Sequence, residues 1–284
     1  MTTALIKQLN QMVQHARTNV PFYRQHYSNA PDTVQSLDDF QKFPIVTDHI
    51  LMREDLSDLV TDIGEISETR YPFDKLRTNA QLVRVLSNVD CELEFDSLQF
   101  IAKYSNFEED SIDVRVMLIA DEQHNYALGE FGKKIGFWNT PLSMLVIRDH
   151  SDEEIREELS RVNPTLLFLA AQRTIPQAAF PDSVFHVFTF NKPGTYEAPS
   201  SEEQRQFHYF DIFTNPLLGM VGIKYDKHDH YVFHPEAFHV ESVNGELIFT
   251  SFLQELQPIV RYKPGDYGKA IASNKFVLNY KGDN

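Results

Sequence analysis

The sequence predicts an α/β fold: a parallel, doubly wound sheet with a smaller, β-rich part towards the C-terminus. Three observations carry this. Between residues 113 and 170, apolar runs of strand length alternate with helix-length segments, the β-α-β-α-β order that belongs to parallel strands. Asn244-Gly245 separates two runs of strand character, Phe238-His239-Val240-Glu241 and Leu247-Ile248-Phe249, as in a tight hairpin. A chain of 284 residues with no linker-like stretch is long for one simple domain and reads as one body with parts. Those parts are a helical and β N-terminal section at 1–110, the doubly wound section at 111–205 and the β-rich section at 206–284.

Taken in order, residues 2–17 form an amphipathic helix, with Leu5, Leu9, Met12, Val13 and Ala16 on one face. Asn19-Val20-Pro21 ends it, because the residue before a proline is pushed out of helical geometry. A short helix over Leu37–Gln41 and an extended Pro44–Thr47 follow, and the acidic, aperiodic 53–66 reads as surface. Residues Thr69–Asp90 read as a β-rich connection. Asp113–Ala120 and Leu142–Ile147 are strands on either side of a helix over Asn125–Phe137, whose glycines at 129, 132 and 136 favour close packing over helix stability. Ser151 with Glu154 three residues on is a capping box for a helix that buries Ile155, Leu159 and Val162 and stops at Asn163-Pro164. Strands at Leu166–Ala170 and Val184–Phe190 complete the parallel series.

The formal net charge of −15 argues against a nucleic-acid or anionic-membrane surface, since those partners need clustered Lys and Arg. An anionic ligand would need a locally positive pocket. Cys91 is the single cysteine, so there is no internal disulfide and no cysteine-rich zinc site, and a reducing, cytoplasmic location is expected. No stretch has the length of a signal peptide or a membrane span. His228, His230, His234 and His239 crowd one segment; His228, His230 and His234 are candidate metal ligands, set against the reading of them as solvated strand and turn histidines.

The most informative stretch is Pro258-Ile259-Val260-Arg261-Tyr262-Lys263-Pro264-Gly265-Asp266. Pro264 and Gly265 suit the central positions of a type II turn, which presents the Asp266 carboxylate in a geometry suited to a sugar diol. Strand alternation directs Arg261 to the same mouth, on the face opposite Val260.

With Gly245-Glu246-Leu247-Ile248-Phe249-Thr250 before it, this run resembles a motif of the adenylate-forming enzymes, in the phenylacetate-CoA ligase branch that includes related capsule-locus proteins. The branch's N-terminal motif has its counterpart in Ala16-Arg17-Thr18-Asn19-Val20-Pro21-Phe22-Tyr23-Arg24, followed by Leu37-Asp38-Asp39-Phe40 and Phe43-Pro44-Ile45-Val46-Thr47. The resemblance implies an adenylate-forming N-terminal-domain-like fold. Nucleotide binding would fall to Asp266 at the ribose, Arg261, Phe213 as the ring beside adenine, and Thr214. An acyl pocket would lie at Tyr126, Gly129 and Phe131, and phosphate contacts at Arg77, Thr78 and Arg84.

The sequence departs from the family at three places. The stretch around Leu76–Ser87, where a glycine-rich loop would cradle phosphates, has no glycine. Leu217 stands where the family has a magnesium-holding glutamate, and leucine cannot ligate a hard cation. The sequence ends at Asn284, close behind Asp266, so the mobile C-terminal domain and its lysine are expected to be absent. Losing one preorganised charge contact typically costs about 3–4 kcal/mol of transition-state stabilisation, and such losses are not additive.

The sequence therefore points first to a degenerate core domain that keeps nucleotide- or acyl-binding features with weak or no ligase activity alone. A working ligase of an acyl or aryl acid, using ATP and magnesium with a separate C-terminal domain or a carrier protein, is the alternative; an interaction protein without a small-molecule site is the third. No tightly bound cofactor is expected. Partners would be a nucleotide or an acyl or aryl acid, a biosynthetic protein and, as in relatives, a second copy.

Overall fold

The computed structural model describes residues 2–70, 83–93, 100, 103, 114–121, 142–147, 149–170, 175, 179–190, 208–225 and 228–279. The expected helix over Asn125–Phe137 lies outside these.

Helix α1 (Thr2–Asn19) buries Leu9, Met12, Val13 and Ala16, the three- and four-residue spacing that one helix face provides. Val20 breaks it with extended dihedrals, and Pro21 then opens α2 (Pro21–His26) at a first-turn position where a missing N–H costs nothing. After α3 (Leu37–Phe40), capped by Ser36, the chain enters β1 (Val46–Thr47), α4 (Asp48–Leu51), α5 (Leu56–Leu59) and a 3₁₀ turn at Ile63–Glu65. Strands β2 (Glu68–Arg70) and β3 (Arg84–Leu86) pair antiparallel, in keeping with the β-rich connection expected there.

Next come β4 (Val116–Asp121), β5 (Leu142–Ile147), α6 (Asp152–Val162), β6 (Leu166–Ala170), β7 (His186–Phe190) and β8 (His208–Asn215). Both halves of the capping box are made at the start of α6, and Asn163 ends it in the left-handed conformation at φ 49°. The C-terminal part supplies β9 (Gly219–Tyr225), β10 (Tyr231–Phe233), β11 (Phe238–Val243), β12 (Glu246–Ser251), β13 (Tyr262–Lys263), β14 (Gly268–Ala272) and β15 (Lys275–Leu278). Asn244 and Gly245, at φ 54° and 80°, make the tight turn between β11 and β12.

Among the described residues the principal sheet has nine strands in the order β14-β15-β10-β9-β8-β7-β6-β4-β5. The run β5-β4-β6-β7-β8 is parallel, and β9, β10, β15 and β14 continue it antiparallel. The C-terminal strands are thus shared between this extension and a four-stranded sheet of order β1-β13-β12-β11.

Parallel strands need cover on both faces, and their side chains divide accordingly. Val116, Leu118, Ala120, Phe168, Phe188 and Phe210 pack on one side. Met117, Ile119, Leu167, Val187 and Tyr209 pack on the other, against Ile155 and Leu159 of α6. A third core joins α1, α2 and the four-stranded sheet to β8, β10 and β15. At its centre Phe213, Tyr231, Phe249 and Phe276 lie with ring centroids 5.1–5.9 Å apart. Gly268 permits the closing β14–β15 pair: a Cβ there would stand 2.2 Å from the Val277 carbonyl oxygen.

Candidate ligand site at the Asp266 turn

The turn carrying Asp266 is held from three sides. Gly265, at φ 94°, is in the left-handed region that favours glycine. The Asp266 carbonyl accepts Leu247 N–H at 2.9 Å and Gly268 N–H donates to the Gly245 carbonyl at 2.9 Å, so β12 fixes the turn through its backbone. On the other side β1 runs parallel to β13, with Val46 opposite Tyr262 and Thr47 opposite Lys263. The Asp266 side chain is left half-buried.

That parallel pairing brings in residues that sequence reasoning missed. Tyr262 is 2% exposed and its hydroxyl donates to Asp48 Oδ1, on the first turn of α4. Asn215 lies at the end of β8. Asn215 Oδ1 meanwhile accepts the backbone N–H groups of Leu217 and Leu218 at 2.9 and 3.2 Å. Burial, reinforced by the carboxylates of Asp48 and Asp266, holds the Tyr262 phenol far above its ordinary range, so it stays a neutral donor. Burial also raises the Asp48 carboxyl, against the lowering effect of the Tyr262 hydroxyl. Lys263 Nζ pairs with Glu246 at 3.0 Å and puts a cation beside the turn.

Arg261 is not at this mouth. At φ 49° it lies outside strand geometry, because β13 begins only at Tyr262. Its guanidinium, 3% exposed, donates from Nε to Glu241 at 2.6 Å and from Nη1 to the carbonyls of Gln41 and Phe43. The expectation that strand alternation aims it beside Asp266 is therefore corrected: it ties the N-terminal segment to the hairpin. Phe213 is 3% exposed and stacks on Phe249 at 5.6 Å and 20°, so in this state the ring expected beside adenine is already paired. Thr214, on the next position of β8, is 9% exposed. Leu217 is 1% exposed within the same core.

Arg84 is 2% exposed on β3. Arg77 and Thr78 lie outside the described residues, as do Tyr126, Gly129 and Phe131. His228 and His230 stack at 5.2 Å and 5°, but His234 faces elsewhere: its ring meets Phe100 at 5.0 Å and its Nδ1 accepts Glu236 N–H. Among the described residues no three His, Cys, Asp or Glu side chains converge on a metal position. No helix among them is long and apolar enough to cross a membrane.

No protein-family model matches the chain, and no curated protein matches it by sequence. Solved structures match closely in shape. A 2-hydroxyisobutyryl-CoA ligase in an open conformation, in complex with 2-HIB-AMP and CoA, superposes with a TM-score of 0.70 at 15% identity, over 98% of this chain and 68% of its own. The same ligase in the postadenylation state, in complex with R3-HIB-AMP, gives 0.71 at 16% identity, over 98% and 66%. The fold is that of the adenylate-forming N-terminal domain. VinN in complex with L-aspartate superposes more distantly, with a TM-score of 0.50 at 9% identity over 71% of this chain and 57% of its own. The chain spans about two thirds of the length of the 2-hydroxyisobutyryl-CoA ligase chains, and at these identities the likeness concerns the fold.

Proposed function

We propose that this chain is a nucleotide- or acyl-adenylate-binding core related to acid-CoA ligases of the phenylacetate-CoA ligase branch, with weak or no ligase turnover by itself. The observation that carries the reading is the β1–β13 pairing. It pairs Val46 and Thr47 of the N-terminal motif with Tyr262 and Lys263 of the C-terminal motif, so the two stretches that resemble the branch lie side by side. A carboxylate beside a hydrogen-bonded tyrosine, on a turn fixed by β12, suits recognition of a vicinal diol such as a ribose. The complexes of 2-hydroxyisobutyryl-CoA ligase with acyl-AMP and CoA support the same ligand class.

Weak turnover is argued from Leu217, which stands where the resemblance expects the magnesium-holding glutamate and is buried in an apolar core, with a side chain that offers a cation no oxygen. AMP, ATP and an acyl-sulfamoyl adenosine should each be tested by thermal shift. A ligand present at a hundredfold its Kd adds about 2.7 kcal/mol, several degrees in Tm for a chain of this size. Asp266→Ala should abolish the shift, while acid-dependent pyrophosphate exchange stays at background. No shift with any of the three would overturn the binding reading, and exchange well above background would replace it with an active ligase.

A further inference from the structure

Strand β13 is too short to place the Asp266 turn alone. It has two residues, a two-residue parallel pairing with β1 and a single register pair with β12, Phe249 opposite Tyr262. Parallel pairing is the weaker kind per residue, and two residues give it little to hold by. Arg261, the residue before β13, supplies what the strand lacks. Its backbone N–H donates to Thr250 Oγ1 of β12 at 3.0 Å, and its carbonyl accepts Val46 N–H of β1 at 2.9 Å. Its guanidinium extends the same clamp: Nε donates to Glu241 of β11, and Nη1 donates to the carbonyls of Gln41 and Phe43, just ahead of β1. At φ 49° the backbone alone would favour glycine here, and the side-chain contacts offset that cost. Among the described residues nothing bonds the second Glu241 oxygen, Oε2, so this carboxylate depends on Arg261.

We propose that Arg261 is a positioning residue: by clamping the Gln41 and Phe43 carbonyls against β11 it sets where β13, and with it the Asp266 turn, stands relative to β1, and so sets affinity for a ligand it does not touch. This rests on the nucleotide-binding reading above and gives Arg261 a part in it that its burial, at 3% exposed, would otherwise deny. A role in position can be separated from a role in stability alone. Replacing the ion pair by apolar groups, as Arg261→Met with Glu241→Leu, leaves no charge buried without its partner, so the fold keeps much of its stability. The same change still takes the Nη1 donor away from the Gln41 and Phe43 carbonyls, and the link between the N-terminal segment and β13 goes with it.

Hydrogen exchange on the free protein and titration calorimetry with AMP and an acyl-sulfamoyl adenosine test this together. The N–H groups of Val46 and Leu247 bond the Arg261 and Asp266 carbonyls and report on the clamp and on the turn. In the double variant both should exchange about tenfold faster, Ile119 in β4 should stay within about twofold of wild type, and Kd for either probe should rise about tenfold. Glu241→Gln keeps an oxygen acceptor for Nε and leaves the Nη1 contacts in place, so its Kd should stay within about twofold of wild type. A wild-type Kd in the double variant overturns the proposal, and so does a rise of Kd in Glu241→Gln equal to that in the double variant. Acceleration at Ile119 equal to that at Val46 is general loosening and overturns it as well. A wild-type chain that binds neither probe overturns the functional reading and the affinity claim with it, while exchange at Val46 and Leu247 still decides whether Arg261 holds β13 in place.

Discussion

The parallel strands and the four-stranded sheet are stabilised by different means. In the run β5-β4-β6-β7-β8 the side chains are apolar on both faces, and the strands follow one another through connections that the sequence pattern shows. The four-stranded sheet shares an apolar core with the N-terminal helices and adds to it buried polar groups that are far apart in sequence. Tyr23 donates to the Pro258 carbonyl and accepts Val260 N–H, across separations of 235 and 237 residues. Tyr27 donates to the Val260 carbonyl, and Arg261 binds Glu241 and two carbonyls of the 41–43 segment. Apolar layers tolerate loss of any one group by degrees. A buried polar lock fails when one partner leaves the other unpaired, and in this chain Arg261 of the lock directly precedes β13, the strand that leads into the Asp266 turn.

The largest effect that separates the two regions should come from Arg261→Met. It leaves the Glu241 carboxylate buried without its cation, and breaking such a pair typically costs about 3–5 kcal/mol. Replacing Glu241 by leucine as well should recover much of the loss. Urea unfolding of the single and double variants measures both, and a single-variant loss under about 1 kcal/mol would deny the lock its role. Leu118→Ala, in the parallel strands, should cost about 2–5 kcal/mol as a cavity, with no second-site rescue by a charge change and with exchange faster in β4 and β6 first.

His239 offers a pH test confined to the four-stranded sheet. Burial, and then the Arg261 charge, bring its imidazole down from 6.5 to about 4, beside the Phe40 ring. The unfolded chain takes a proton below 6.5 and the folded chain resists it down to about 4. Stability from this group is therefore full above 6.5, falls as pH drops through that window, and is lost below 4. The limit is about 3 kcal/mol for such a shift. Glu241, raised by burial, acts in the opposite direction from the ordinary carboxylate range upward, so the His239→Gln difference against wild type is the quantity to measure. A difference that does not change between pH 7 and 4.5 would contradict the assignment. The smallest effect belongs to Ser151→Ala, which removes the α6 cap at a cost of about 1 kcal/mol and should leave exchange around Tyr23 and Tyr27 unchanged.

What could be read from the sequence was local. The strands at 142–147 and 166–170, the Ser151 capping box and the Asn244-Gly245 turn each depend on neighbours within a few residues, and each is found where the residues place it. Arg261 was misdirected because alternation assumes a strand, and its left-handed backbone lies one residue before the strand starts. Phe213 carries no mark in the sequence that distinguishes a ring waiting for adenine from one stacked on Phe249 of another strand. Asp48 was illegible for the same reason: only the parallel β1–β13 pairing brings it to Tyr262. One signal was present, since Asp48 directly follows the Phe43–Thr47 motif that the pairing carries to the site.

The central claim is that the Asp266 turn is the sugar end of a nucleotide site. A crystal structure of the chain with a bound acyl-sulfamoyl adenosine tests it most directly. The account predicts ribose hydroxyls within hydrogen-bonding distance of the Asp266 carboxylate, with the Tyr262–Asp48 hydrogen bond intact behind it. A ligand bound with its ribose elsewhere on the chain, and the Asp266 carboxylate facing only solvent, would contradict it.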